Sequence, residues 1–206
     1  MLEMGVRLVV FFSLFLLVSP SVLAKTEMLS RFGVTLYLPD NWRLLSLDEL
    51  NAVDEADSSS GELADVKPKV REQLSKTMRT GGLELVFNTE RVKNTSSFYD
   101  NITLIETQDQ VPEAAAQIKS TCAALPSLLS RTLGREVKLD TCEGRSVQDY
   151  PAFVLSYAGD TANTRIIQYM LQLEQNRSLV LTLTYHNESL AAVEDFESAV
   201  QGLRFN

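Results

Sequence analysis

The sequence has few of the side chains on which common catalytic sites depend. It contains one histidine, one tryptophan and two cysteines in 206 residues. A histidine-ligated metal centre or a nucleophilic triad would have to use His186. This residue shares the parity of Thr182 and Thr184 at the end of a predicted strand. The position favours an ordinary surface or capping role for His186.

The short signatures of several enzyme classes are also missing. There is no Gly-x-Ser-x-Gly, no His-Glu-x-x-His, no glycine-rich phosphate loop and no calcium-loop spacing. The cysteines do not form a Cys-x-x-Cys pair, which argues against a redox-active dithiol. We therefore expect a protein that is not an enzyme, with no catalytic, cofactor-binding or metal-binding residues. A hydrolase whose two carboxylates are brought together by the fold remains an alternative.

Runs of positive charge are absent. The chain has 19 Lys and Arg against 27 Asp and Glu, a formal net charge of −8. An acidic surface repels phosphate backbones, so we expect no binding to nucleic acid. The acidic clusters at residues 48–49, 54–57 and 194–197 are typical of solvated helix faces.

The only long hydrophobic run lies at the beginning of the chain. Residues 8–18 follow Arg7 without a charge, and Ala24 lies at a position that a signal peptidase recognises. Residues 1–24 are therefore predicted to be a secretory signal, which makes the mature protein periplasmic or secreted, with no membrane span after cleavage. An uncleaved anchor is the alternative, although this run is short for a hydrocarbon core of about 30 Å.

The clearest periodicity is in the last third of the chain. Apolar residues alternate with polar ones in residues 164–174 and again in residues 179–185, which predicts an antiparallel hairpin with a connection of three to five residues. From Leu190 to Leu203 the apolar spacing changes to three and four, as in an amphipathic helix. Gly202 is expected to end this helix in a left-handed conformation, and Phe205 to enter the core.

Earlier segments add further elements. Residues 33–39, 83–87 and 101–107 are predicted strands, and residues 46–80 a helical insertion interrupted by Pro68. A helix that starts near Pro112 should be kinked or restarted by Pro126. Two more strands are expected at residues 135–141 and 146–158, the second broken at residues 150–151. The pattern predicts an α+β fold, one domain over residues 25–206 with a mainly antiparallel central sheet flanked by helices.

The two cysteines are expected to form a disulfide. Cys122 lies on the apolar face of the helix after Pro112, and Cys142 follows the next predicted strand. A helix packed across a neighbouring strand can bring the two side chains together, and an export signal places them in an oxidising compartment. Two buried free thiols are the alternative.

Three stretches together resemble a known family. They are residues 32–42 (FGVTLYLPDNW), residues 98–104 (FYDNITL) and the closing hairpin and helix that end near Phe205. In this order they are similar to the PsbP-like family, which includes the photosystem extrinsic protein PsbP, the Ran-binding Mog protein and periplasmic DcrB-type proteins. The resemblance implies an α/β/α sandwich and a non-enzymatic adaptor role, and it carries no functional residue over to this chain.

Two functions follow as expectations. The first is an exported, non-catalytic binding or adaptor protein that acts through an envelope or periplasmic protein partner. The alternative is a small-ligand or lipid carrier, with a pocket between the sheet and the insertion helices of residues 46–80.

Overall fold

The computed structural model describes residues 25–46, 48, 68–90 and 98–206. The predicted signal segment and most of the predicted insertion, including the acidic residues 54–57, lie outside these ranges.

The described residues form ten strands and three helices. The strands are β1 (Lys25–Leu29), β2 (Val34–Pro39), β3 (Trp42–Leu44), β4 (Glu84–Asn88), β5 (Asn101–Thr107), β6 (Leu139–Val147), β7 (Tyr150–Ala158), β8 (Thr164–Glu174), β9 (Arg177–His186) and β10 (Arg204–Phe205). The helices are α1 (Pro68–Arg79), α2 (Ala115–Leu133) and α3 (Leu190–Gln201).

Seven strands form the main sheet in the order β3-β4-β5-β9-β8-β7-β6, and each neighbouring pair is antiparallel. The alternation in β8 and β9 gives this sheet one strongly apolar face, on which Tyr169, Leu171, Leu181 and Leu183 are fully buried. The hairpin that joins β8 to β9 is tighter than predicted. Arg177 pairs with Glu174, which leaves a connection of only two residues.

The apolar face is covered by α3 and by a smaller sheet in the order β1-β2-β10. Val34, Leu36 and Leu38 of β2 belong to the same core as Phe196 of α3. Trp42 is buried there too, and its Nε1 donates a hydrogen bond to Asp195 Oδ2 at 2.9 Å. The covering layer is thus part helix and part sheet, rather than helices alone.

The opposite face carries α1 and α2. Met78 of α1 clusters with Leu85 and Phe87 of β4, at one side of the sheet. The apolar stripe of α2 packs near the other side, on Phe153 and Leu155 of β7. This arrangement confirms the α+β class and the mainly antiparallel sheet.

Several predicted element boundaries were wrong, because strand pairing in the sheet outweighed the local sequence pattern. The strand predicted at residues 135–141 begins only at Leu139, and the break expected at residues 150–151 falls instead at residues 148–149, where Gln148 has φ 52°. Tyr150 and Pro151 therefore begin β7. Pro126 does not restart its helix, because α2 is continuous from Ala115 to Leu133.

The predicted ends of α3 also need correction. Gly202 has φ −92°, so the helix does not end in a left-handed residue. Phe205 does pack against the main core, as expected; it is half-buried, and its ring lies 3.9 Å from that of Tyr150, centroid to centroid. Phe205 pairs with Val34 in β10, so the tail adds a strand to the smaller sheet.

Candidate binding site

The helix α2 is held to the sheet by a disulfide, as the sequence predicted. Cys122 of α2 is bonded to Cys142 of β6, and their Cα atoms lie 5.8 Å apart. One helical turn earlier, Ile118 lies on the backbone of Gly144. A Cβ added to Gly144 would come within 2.5 Å of Ile118 Cδ1, so the glycine permits this close approach. The amino-terminal half of α2 is thus fixed to the edge strand of the sheet.

The connection from β5 to α2 crosses the end of the sheet through polar contacts. Ser178 Oγ donates a hydrogen bond to the Asp109 carbonyl oxygen at 2.6 Å. The Val111 amide donates to Gln172 Oε1 at 2.7 Å. These two hydrogen bonds hold the connection against the ends of β8 and β9, just before α2 begins on the helical face of the sheet.

The packing of α2 on the sheet is shallow. None of its 19 residues, all of which the structure describes, is buried. The stripe that faces the sheet is only partly covered: Ile118, Cys122, Leu125, Leu129 and Leu133. Leu128, on the side of α2 turned towards the middle of the sheet, is 50% exposed. A helix of this length would normally bury one whole face, so its surroundings are incomplete.

A groove runs along this side of α2, with a volume of about 790 Å³. Its floor includes Met170 and Val180 of the main sheet, and its wall includes Gln117, Thr121 and Leu125 of the helix. The lining combines apolar side chains with neutral amides and hydroxyls.

Three neighbouring strands, two of which also form the floor of the groove, carry side chains on the helical face that no described helix covers fully; Ile105 is exposed and the others are half-buried. We call this surface the open strip. Its nine residues form three cross-strand rows on β5, β9 and β8: Ile105, Val180 and Met170; Thr103, Thr182 and Gln168; Asn101, Thr184 and Ile166. None of the nine is buried.

The two borders of the open strip follow from the register. On β7, the residues opposite Met170 and Gln168 are Phe153 and Leu155, which are buried under α2. On β4, the residue opposite Thr103 is Leu85, which is buried in the α1 cluster. The middle of the open strip therefore lies between the footprints of α1 and α2, while Ile166 and Met170 on β8 also pack at the margin of the cluster under α2.

Two carboxylates stand at the mouth of the groove. Asp109 and Glu113 line it and are exposed. Neither forms an ion pair with a described residue, whereas Glu106 close by is paired with Arg177 at 2.8 Å. The mouth thus has uncompensated negative charge, and acids near the amino end of a helix are also favoured by its dipole.

His186 lies in a structural setting away from the groove. The side chain is buried, not on the surface, and its Nδ1 accepts a hydrogen bond from the Glu188 amide at 3.4 Å, a capping contact in the turn before α3. The His186 amide donates to Asp100 Oδ1 at 2.8 Å. Burial raises the pKa of the Asp100 carboxyl, an effect that these hydrogen bonds partly oppose. Both groups hold the end of β9 against the start of β5.

A second polar network connects α3 to the sheet. The Tyr169 hydroxyl donates to Glu197 Oε2 at 2.6 Å and accepts from Arg145 Nη1 at 2.7 Å. Burial and the Glu197 carboxylate raise the pKa of Tyr169, so its hydroxyl stays protonated. Glu197 and Asp195 thus have specific structural partners, which the prediction of a solvated acidic face had missed.

Within the described ranges, no group of three or more His, Cys, Asp or Glu side chains is arranged to hold a metal ion. The α2 groove, of about 790 Å³, is larger than a second concavity of about 370 Å³ that lies beside α1. The pocket predicted beside the insertion would involve residues outside the described ranges.

Sequence reasoning missed the α2 groove and the open strip. The sequence offered one sign of them, the alternating polar residues on one face of β8 and β9. It did not show which strands lie beside these two in the sheet.

The sequence matches no protein-family model and no curated protein. A solved structure is similar over nearly the whole chain: cyanobacterial PsbP (CyanoP) from Synechocystis sp. PCC 6803, with a TM-score of 0.52 and 10% identity over 91% of this chain and 96% of that one. The protein has a PsbP-like fold.

Two further solved structures with the PsbP-like fold match less closely. The Ran-binding protein Mog1p of Saccharomyces cerevisiae has a TM-score of 0.48 at 8% identity, covering 88% of this chain and 95% of that one. LpqN of Mycobacterium tuberculosis, involved in cell envelope biogenesis, has a TM-score of 0.46 at 14% identity, covering 88% and 90%. At these identities the likeness concerns the fold alone. Among the described helices of this PsbP-like chain, none has the length and apolarity required to cross a membrane.

Proposed function

We propose that this protein is an exported, non-catalytic binding or adaptor protein that acts through an envelope or periplasmic protein partner. The observation that carries the proposal is the open strip, together with the groove beside it. Export is supported by the apolar segment within residues 1–24, and the disulfide fits an oxidising compartment.

An open sheet face is not unusual in itself, because antiparallel sheets often have one face in water. This strip differs because apolar side chains continue into it from the covered regions. Ile105 is 36% exposed, and beside it lie the half-buried Val180 and Met170. Leu125 in the α2 wall of the groove adds to them, so that together they form an apolar surface in a concavity. Surfaces of this kind mark interaction sites.

The polar groups of the groove are suited to recognition. Gln117, Thr121 and Gln168 offer amides and hydroxyls, which orient a bound chain through hydrogen bonds. Among the described residues that line the groove, the carboxylates are Asp109 and Glu113, and both are exposed. Neither is in the desolvated setting that the general acid of a glycosidase needs, which supports a binding role over hydrolysis.

A photo-crosslinking amino acid placed at Leu128 tests the proposal in cells that naturally express the full chain. The control is the same amino acid at Ala123, which is also exposed on α2 but turned away from the groove. We expect one protein adduct of defined mass from position 128 and none from position 123. Equal adducts at both positions, or none at either, would overturn the proposal. Stoichiometric lipid extracted from the purified protein would favour the carrier function instead.

A further inference from the structure

We infer that the partner docks on the open strip as an amphipathic α-helix carrying positive charge, lying between α1 and α2. This inference rests on the proposed function and specifies the chemistry of the partner segment.

The width of the open strip matches one helix. The strands that carry the footprints of α1 and α2 are β4 and β7, and β5, β9 and β8 lie between them. Four strand spacings of about 4.8 Å place the two footprints about 19 Å apart. Packed helices lie about 8 to 10 Å from each other, so α1 and α2 are separated by two packing distances. Among the described elements of this layer, the space between α1 and α2 is wide enough for one additional helix.

The geometry also excludes binding of the partner as an added β-strand at the open strip. A peptide strand adds to a sheet through the free backbone groups of an edge strand. The strands β5, β9 and β8 are interior strands, each paired on both sides. The open strip therefore offers only side chains, and side-chain surfaces are what an amphipathic helix recognises.

The side chains of the open strip define the face that the helix must present. The row of Ile105, Val180 and Met170 is apolar, the wall of α2 adds Leu125, and Leu128 follows about one turn further along the helix. The other two rows are mostly threonine and amide side chains, whose methyl and methylene groups pack against apolar residues while their polar atoms stay hydrated. A helix with apolar residues at spacings of three and four would place one apolar face on the apolar row and leave its polar residues towards water.

The charge of the partner follows from the mouth of the groove. Asp109 and Glu113 are exposed, lack a described cationic partner, and lie at the end of α2 where Val180 and Met170 also line the groove. The chain as a whole has a net charge of −8. Lysine or arginine near the apolar end of the partner helix would pair with these carboxylates, and the field of the whole chain would speed its association.

Synthetic helices test this inference on the mature protein with its disulfide intact. The probe is a labelled peptide of about 18 residues, five helical turns, with leucine at spacings of three and four and lysine elsewhere. A scrambled lysine peptide lacks the apolar stripe, and a third peptide has glutamate in place of lysine. Fluorescence anisotropy at low salt should show binding of the first peptide only. Equal affinity for the scrambled or the glutamate peptide would overturn the inference.

Two matched variants place the binding on the protein surface. Leu128→Lys and Ala123→Lys each add one positive charge to an exposed position of α2, so they are matched in charge, but only the first removes a large apolar side chain. Leu128→Lys should weaken binding about tenfold or more, as expected for loss of a buried leucine contact, and Ala123→Lys much less. Ile105→Lys should also weaken binding, because it places a charge in the apolar row of the open strip. Equal effects at positions 123 and 128 would contradict the assignment.

The outcomes separate this inference from the proposed function. If the peptides fail but crosslinking at Leu128 still captures one protein, the helical, cationic partner is refuted and the adaptor function stands. If both fail, both are refuted. A cysteine placed at Ile105 should react with a thiol reagent in the isolated protein and be protected by the lysine peptide. Lack of reaction in the isolated protein would show that the open strip is already occupied, which would overturn the inference.

Discussion

Removal of the disulfide should release α2 while leaving most of the main sheet intact. The change is Cys122→Ser together with Cys142→Ser, which avoids an unpaired thiol. The bond closes a loop with a sequence separation of 20. Loop-entropy arithmetic for a loop of this length gives about 3 kcal/mol of stabilisation relative to the open chain.

Two features of α2 make this stabilisation local. The structure describes every residue of α2, and none of them is buried. Its apolar stripe is only partly covered. The strands β8 and β9, in contrast, contain the fully buried Tyr169, Leu171 and Leu181. Without the disulfide, α2 keeps its shallow contacts at Ile118 and Leu125 but loses its covalent attachment. We therefore expect it to open without unfolding of the sheet.

Hydrogen exchange with mass spectrometry measures this directly. In the double-serine variant, amides of α2 should lose protection, while those of β8 and β9 exchange only as fast as the lower global stability requires. The wild-type protein treated with a reductant is the matched control, since it loses the bond but keeps both cysteines. Unchanged exchange in α2 would refute the reasoning, as would loss of protection in α3 as large as that in α2.

Three further perturbations follow from single contacts. Asp195→Ala should destabilise the fold by about 1 to 3 kcal/mol, because the buried Trp42 Nε1–H loses its acceptor, and Asp195→Asn should recover most of the loss; denaturation followed by Trp42 fluorescence measures both. Burial raises the pKa of Asp100 above 3.8, so the folded state keeps a proton that the unfolded state has released. Stability should therefore fall as pH rises through the folded pKa, and Asp100→Asn should flatten that slope in denaturant titrations. Gly144→Ala should cost about 1 kcal/mol or less, because the clashing Cδ1 is the free end of the half-buried Ile118 side chain and can shift. Adding Ile118→Val, which removes that atom, should restore stability in the double variant, and simple additivity would contradict the contact.

The elements that could be predicted from the sequence are those with sustained periodicity. The alternation of residues 164–174 and 179–185 corresponds closely to β8 and β9, and the apolar spacing after Leu190 corresponds to α3. The disulfide was predictable because an apolar helical face and the following strand carried the only two cysteines.

The elements that were missed are short or depend on partners far away in the chain. The strands β1, β3 and β10 have five, three and two residues, too few to show a period, and each exists because another strand pairs with it. Pro151 led to the wrong prediction of a strand break at residues 150–151. A proline near the start of a strand is compatible with strand pairing, and β7 begins there.

The candidate site could not be predicted because it depends on the order of the strands. Thr103, Thr182 and Gln168 each look like an ordinary solvent-facing residue of its own strand. They form one surface only because β5, β9 and β8 are neighbours in register. Their shared exposure then depends on where α1 and α2 stop, which is a property of tertiary packing.

The pairing of β10 with β2 has a consequence for the order in which the chain folds. Phe205 lies opposite Val34, and the Asn206 amide donates to the Gly33 carbonyl oxygen at 3.0 Å, so nearly the whole described chain separates the two partners. Contacts this distant in sequence form late, because a very long loop must close before any of their stabilisation is gained. During synthesis, β2 stays without this neighbour until Arg204 and Phe205 have left the ribosome. The smaller sheet would therefore remain incomplete in the nascent chain until residues 204–206 have been made.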